Sequence, residues 1–189
     1  DPLIDWENPQ SLTPQKFVPL VKATDDHKIA LPDGLEVYRF SKDLEPDKKF
    51  NVLAGQVELE GFVCMFKGGQ LARITLDLGK TKGHPADPAD LQALRDEIAR
   101  QAGDPKPTSF ENTFASIKRR HTGIEWTHEY YTVQMFELSN LSNGKYTPSG
   151  KFQVALVVKG GKPPIEEVAK KDDEGPKNDL SANLDALLN

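Results

Sequence analysis

The sequence predicts an α+β fold: an antiparallel β-sheet of about five strands with one main helix packed on one face. Three observations carry this. Residues 57–78 read as a β-hairpin around Gly68-Gly69. Residues 87–103 carry the start, stripe and stop signals of one amphipathic helix. Residues 35–40, 123–138 and 152–158 are rich in β-branched and aromatic side chains.

The first segment, residues 1–34, is a proline-rich arm, with Pro2, Pro9, Pro14, Pro19 and Pro32. Thr13-Pro14 starts a short helix over residues 15–18, which Pro19 disturbs. Leu3, Ile4, Trp6, Phe17 and Leu20 are the side chains expected to dock it. Pro32-Asp33-Gly34 is a turn signal. The α+β domain is assigned to residues 35–160, opening on a strand of period two over residues 35–40.

A Gly-Gly pair suits a two-residue hairpin turn, whose residues need positive φ. With that turn, Met65 faces Ala72, Val63 faces Ile74, Gly61 faces Leu76 and Leu59 faces Leu78, all on one face. The other face then carries Phe62, Cys64 and Phe66, and Glu60 stands opposite Asp77. That like-charged pair reads as a solvated end, with a weak cation site or a contact for a basic partner as the sharper alternative. Phe62 and Phe66 require cover from another segment or a partner.

Asp87 is the N-cap of the helix, Pro88 its first residue and Gly103 its stop. Leu91, Leu94, Ile98 and Ala102 form one narrow apolar stripe, so the helix lies across a sheet. Phe110, Phe114 and Ile117 fit either a short helix or an edge strand. Residues 123–138 form a long strand, bulged near Tyr131 where the apolar parity becomes mixed. Phe152, Val154, Leu156 and Val158 make the final strand. Residues 161–189 are an acidic tail ending in a short amphipathic helix that carries Leu184 and Leu187 and must dock on its own domain or on a partner. No internal repeat is visible at any period.

Composition limits the function classes. A net charge of −5 argues against a nucleic-acid surface, and Lys118-Arg119-Arg120-His121 is the one basic cluster. The single cysteine, Cys64, sits at strand parity among apolar residues and reads as structural. No apolar run reaches the ~18 residues of a membrane span. The opening Asp-Pro-Leu-Ile-Asp-Trp, without methionine, reads as an exported protein whose leader has been removed.

The chemistry-bearing motifs fall short of their templates. Gly-Lys-Thr at 79–81 lacks the upstream glycine of a phosphate-binding loop. His128-Glu129 is followed by Tyr130-Tyr131-Thr132, so the His-Glu-x-x-His zinc motif is absent. On a strand, Glu125 and Glu129 stand roughly 13 Å apart and cannot share an ion. His27 and His84 read as solvated loop residues. No catalytic residue, cofactor or metal site is therefore assigned.

The order of residues 62–138 adds a resemblance. The turn Met-Phe-Lys-Gly-Gly-Gln-Leu-Ala-Arg-Ile-Thr-Leu precedes a helix ending Gln-Ala-Gly-Asp-Pro, then a strand with Ile-Glu-Trp-Thr. This resembles small α+β domains of the bacterial cell envelope, such as outer-membrane assembly lipoproteins and β-lactamase-inhibitor-like domains. The resemblance implies a non-catalytic periplasmic or cell-surface protein that works by binding other proteins, and it transfers no functional residue.

The leading expectation is thus an exported binding or assembly module of the cell envelope. Its protein contacts are assigned to Phe62, Phe66, Trp126, Tyr130, Leu184 and Leu187, with no nucleic acid as partner. A hydrolase with a cleft beside Trp126, His128 and Tyr130 is the rival. A small-ligand carrier, with an apolar cavity between helix and sheet, is the third reading.

Overall fold

The computed structural model describes residues 2–31, 34–42, 45, 47, 59–79, 86–114 and 116–159. Among these residues eight strands form one antiparallel sheet. They are β1 (Lys28–Ala30), β2 (Leu35–Ser41), β3 (Leu59–Lys67), β4 (Gln70–Leu78), β5 (Lys106–Phe114), β6 (Ile117–Thr127), β7 (Tyr131–Ser142) and β8 (Lys145–Val158). Their order across the sheet is β1-β2-β3-β4-β8-β7-β6-β5. Two α-helices accompany them, α1 (Pro14–Val21) and α2 (Pro88–Ala102). The fold is mostly β, which corrects the expected α+β layout of five strands.

Each extra strand has a physical origin. β1 is three residues long, too short to show a period. β5 reads Lys-Pro-Thr-Ser-Phe-Glu-Asn-Thr-Phe and is an edge strand, so no apolar alternation marks it. This settles the ambiguity at Phe110, Phe114 and Ile117 in favour of strands. Residues 123–138 are two strands. The mixed parity near Tyr131 is a chain reversal, closed by His128 N–H donating to Tyr131 O at 2.9 Å, and it is not a bulge.

The Gly68-Gly69 turn stands as expected, with φ of 58° and 79°. The register holds beside it, at Lys67↔Gln70 and Phe66↔Leu71, and again at Leu59↔Leu78. Between these points it is shifted by one. Ala72 is an extra residue on β4 and Glu60 an extra residue on β3, so Val63 faces Thr75 and Cys64 faces Ile74. The bulges exist because Leu71 has the opposite parity to Ile74, Leu76 and Leu78, and Leu59 the opposite parity to Phe62, yet all are buried. Asp77 accordingly faces Gly61, and the expected Glu60–Asp77 pairing does not form.

Cross-strand partners share a face, which sorts the sheet into two sides. One row of the core side runs Tyr38, Cys64, Ile74, Leu156, Val133, Trp126. The next runs Phe40, Phe62, Leu76, Val154, Met135, Ile124. Both helices cover this side: Phe17 and Val21 of α1 and Leu94 and Ile98 of α2 belong to the same core cluster. Leu3, Ile4, Trp6 and Leu12 of the N-terminal segment join it, whereas Leu20 is exposed. The helix α1 continues through Pro19 to Val21 and ends on Lys22 in the left-handed region. The helix α2 matches its signals: Asp87 accepts Ala89 N–H at 2.9 Å and Gly103 caps the end at φ 79°.

The topology repeats where the sequence does not. A helix and a four-strand meander, α1 with β1–β4, is followed by a second, α2 with β5–β8. The strand order reads the same from either edge about the β4–β8 pair, so the halves are related by an approximate two-fold. No described helix is long and apolar enough to cross a membrane. The acidic tail and its terminal helix fall outside the described residues.

Candidate functional site

The residues assigned to partner contacts lie in different settings. Phe62 and Phe66 are covered by this chain: the Phe17 ring of α1 stands 6.2 Å and 5.3 Å from theirs, and Phe40 stacks on Phe62 at 4.7 Å. Trp126 is fully buried and presents no surface to a cleft. Tyr130 sits half-buried in the β6–β7 turn, where the charge of Glu129 raises its phenol pKa. His128 accepts Tyr130 N–H on Nδ1 at 3.3 Å and stacks on Tyr131 at 4.4 Å, so its ring is engaged within the turn. Leu184 and Leu187 lie outside the described residues. Cys64 is buried, and burial pushes its thiol well up, as suits a structural thiol.

His27 is more than a solvated loop residue. Its Nδ1 accepts Thr24 N–H at 3.0 Å and lies 2.9 Å from Thr24 Oγ1. Its Nε2 lies 2.8 Å from Glu45 Oε2, and its ring stacks on Phe40 at 4.2 Å. Hydroxyl, imidazole and carboxylate in series is the pattern of an activated nucleophile. Here, however, the single Nδ1 lone pair already receives the Thr24 amide, and Thr24 Oγ1 accepts the His27 backbone N–H. Taking up the hydroxyl proton would break the cap that shapes the segment. The group is a capping box with histidine in the place of glutamate.

Among the described residues no helix packs on the other side of the sheet. A row of seven residues crosses it: Arg39, Val63, Thr75, Ala155, Gln134, Glu125, Lys106. A second row holds Ile29, Val37, Met65, Arg73, Val157 and Thr132. A third holds Ser41, Gly61, Asp77, Gln153, Phe136 and Gly123. The small apolar cluster of Val37 and Met65 on this side includes no helical residue.

Electrostatics distinguish this side. Arg39, Lys67, Arg73, Lys106 and Arg119 stand on it by register, and Lys151 acts on Asp77 from β8. Against them, among the described residues, stand Asp77, Glu125 and the bulged Glu60. The two in-register carboxylates are each held by a glutamine one strand away: Gln153 Nε2 donates to Asp77 at 2.6 Å and Gln134 Nε2 to Glu125 at 2.6 Å. Asp77 has its carboxyl raised above the usual range, chiefly by burial, with Glu60 adding and Gln153, Lys151 and Arg39 opposing. Among the described residues the side is net basic, in a chain of net charge −5.

It also carries exposed apolar surface. Of the large hydrophobic side chains exposed among the described residues, Phe110 (38%), Ile117 (46%) and Val157 (37%) all lie here, and only Leu20 does not. The Phe110 ring stacks on buried His121 at 4.4 Å, and Phe136 meets both rings edge-on. His121 Nε2–H donates to Asn112 Oδ1 at 3.2 Å. The histidine is therefore packed, not poised as a ligand.

No signal in the sequence marked this side, because it is assembled from eight strands and from two bulges that reverse the hairpin's parity. Parity analysis of residues 71–78 could have exposed the first bulge. Among the described residues no group of His, Cys, Asp and Glu could hold a metal ion. A shallow cavity of about 510 Å³ lies between the N-terminal segment and α1, lined by Leu3, Asp5, Leu12, Lys16, Pro19 and Leu20. It does not lie between helix and sheet, where the carrier reading placed one. No known family model, curated protein or solved structure matches this chain.

Proposed function

We propose that this protein is a non-catalytic binding module whose partner protein docks on the side of the sheet opposite the helices, in the cell-envelope setting that its sequence pattern implies. The observation that carries the reading is the coincidence of exposed Phe110, Ile117 and Val157 with a net basic field on one side of an eight-stranded sheet. Apolar surface rimmed by charge is what a protein contact uses, with the apolar part supplying affinity and the charge supplying steering and register. The side chains first assigned to contact, Phe62, Phe66 and Trp126, instead build the core on the opposite side of the sheet.

Site-specific photo-crosslinking tests the reading. A photoreactive side chain replaces Arg39 or Val157 on the side opposite the helices, and Arg95 on the solvent side of α2 as control. In native host extract the first two are expected to capture the same protein and the third to capture none. Equal capture from all three positions, or capture from Arg95 alone, would sink the proposal.

A further inference from the structure

Resting on that reading, we infer that the partner presents an acidic extended segment, which adds to the sheet as a ninth strand along β5. The two edges of the sheet differ. At one edge β1 is three residues long, too short to template a strand. At the other β5 is nine residues long and paired with β6 at every position from Lys106 to Phe114, with no bulge. An edge that must not recruit another chain is blunted by short length, bulges, proline or charge. β5 has Lys106 and Pro107 at its first two positions only, and from Thr108 onward its one charged residue is Glu111. Glu111 is itself occupied by Arg120, at 2.7 Å and 3.2 Å. No described element pairs with the outer side of β5.

Charge selects the occupant. The adjoining strand β6 contributes Lys118, Arg119 and Arg120, and Lys145 stands at the β7–β8 turn. Arg120 also lies over the Tyr146 ring at 4.1 Å. A second copy pairing antiparallel about Phe110 would set Lys106 of each copy beside the Lys118 end of the other, which like charge opposes. An acidic strand meets no such cost. On the side opposite the helices its residue beside Phe110 would be apolar. Residues beside Lys106 and beside Asn112, whose cross-strand partner is Arg119, would be acidic. Strand addition takes affinity from backbone hydrogen bonds and specificity from alternate side chains.

The test uses the full chain and a fluorescent peptide, Glu-Thr-Val-Thr-Glu-Thr-Glu, read by anisotropy. Its controls are the same peptide with lysine for glutamate, the same peptide N-methylated on alternate amides, and a single-stranded DNA oligomer. Saturable binding of the acidic peptide is expected, about tenfold weaker for each peptide control and for the exposed-site variant Lys106→Glu/Lys118→Glu, and weakened by salt. Circular dichroism of that variant verifies its fold. Undiminished binding of the N-methylated peptide would overturn strand addition. Equal binding of the lysine peptide, or tighter binding of DNA, would overturn the acidic-segment assignment. So would self-association that the acidic peptide does not displace. No peptide binding, together with a cross-linked partner still captured by Lys106→Glu/Lys118→Glu, would overturn this inference and leave the binding-module reading standing.

Discussion

Asp77 stands near the middle of the sheet, opposite Gly61 on one strand and Gln153 on the other. Burial raises its carboxyl pKa in the folded state, so the folded chain holds this proton to higher pH than the unfolded chain does. Stability then falls as pH rises from the ordinary carboxylate range through the raised value, and the loss persists at neutral pH. Asp77→Asn keeps an oxygen for the Gln153 amide and removes the charge. It is expected to raise the melting temperature by about a few degrees at neutral pH and to match the parent chain below the carboxylate range. Thermal melts across pH decide this; a lower melting temperature for the variant at neutral pH would contradict it. Nothing in the local sequence showed that Asp77 is buried, because its neighbour across the β4–β8 pair, Gln153, lies far along the chain. Gly123 is a similar case. A Cβ there would overlap the Met135 carbonyl oxygen of β7, so glycine allows this strand pair to close. In the sequence it looked like the mere start of a strand.

Elements were legible in proportion to how local their signals are. The helix α2 has its cap, proline, stripe and stop within seventeen consecutive residues, 87–103, and it forms as read. The turn at Gly68-Gly69 needs only its own two glycines. The strand β5 has no such signal, because an edge strand outside the apolar core has no reason to alternate. The bulges fall between these cases. Leu71 and Ile74 cannot both face the core on a regular strand, and Ala72 is the residue that reconciles them. Deleting Ala72 would turn either Leu71 or the set of Ile74, Leu76 and Leu78 out of the core. A loss of about 3 kcal/mol or more is expected, against about 0.5–1 kcal/mol for Ala72→Gly. Urea denaturation of both variants measures the difference. Equal stability of the two would mean that β4 does not need its extra residue.

At the scale of the molecule, core composition was legible and topology was not. Most of the apolar side chains read as strand or helix faces are buried, but no repeat in the letters announced that the halves share one plan. Backbone topology tolerates complete change of side chains provided that each face stays apolar, which is why the two-fold leaves no trace in sequence. Within each half the strands pair with chain neighbours. The halves meet through β4 and β8, where Leu78 pairs with Phe152 and Arg73 with Val157. Within each meander strands pair with chain neighbours, whereas the β4–β8 seam and the 3.1 Å bond from the Tyr131 hydroxyl to Trp6 O join residues far apart in sequence. Chains dominated by local pairing fold fast, and long-range closure slows them. Two pieces, one ending after β4 and one beginning before α2, are therefore expected to recombine on mixing and recover the near-ultraviolet circular dichroism of the intact chain. Failure to recombine would show that the halves do not hold their own structure. The seam has a further consequence for the life of the chain during synthesis. The first meander can emerge complete while the second is still being made, and until β8 arrives β4 is a bare edge. The interval between those two events is when this protein is most exposed to joining the wrong neighbour.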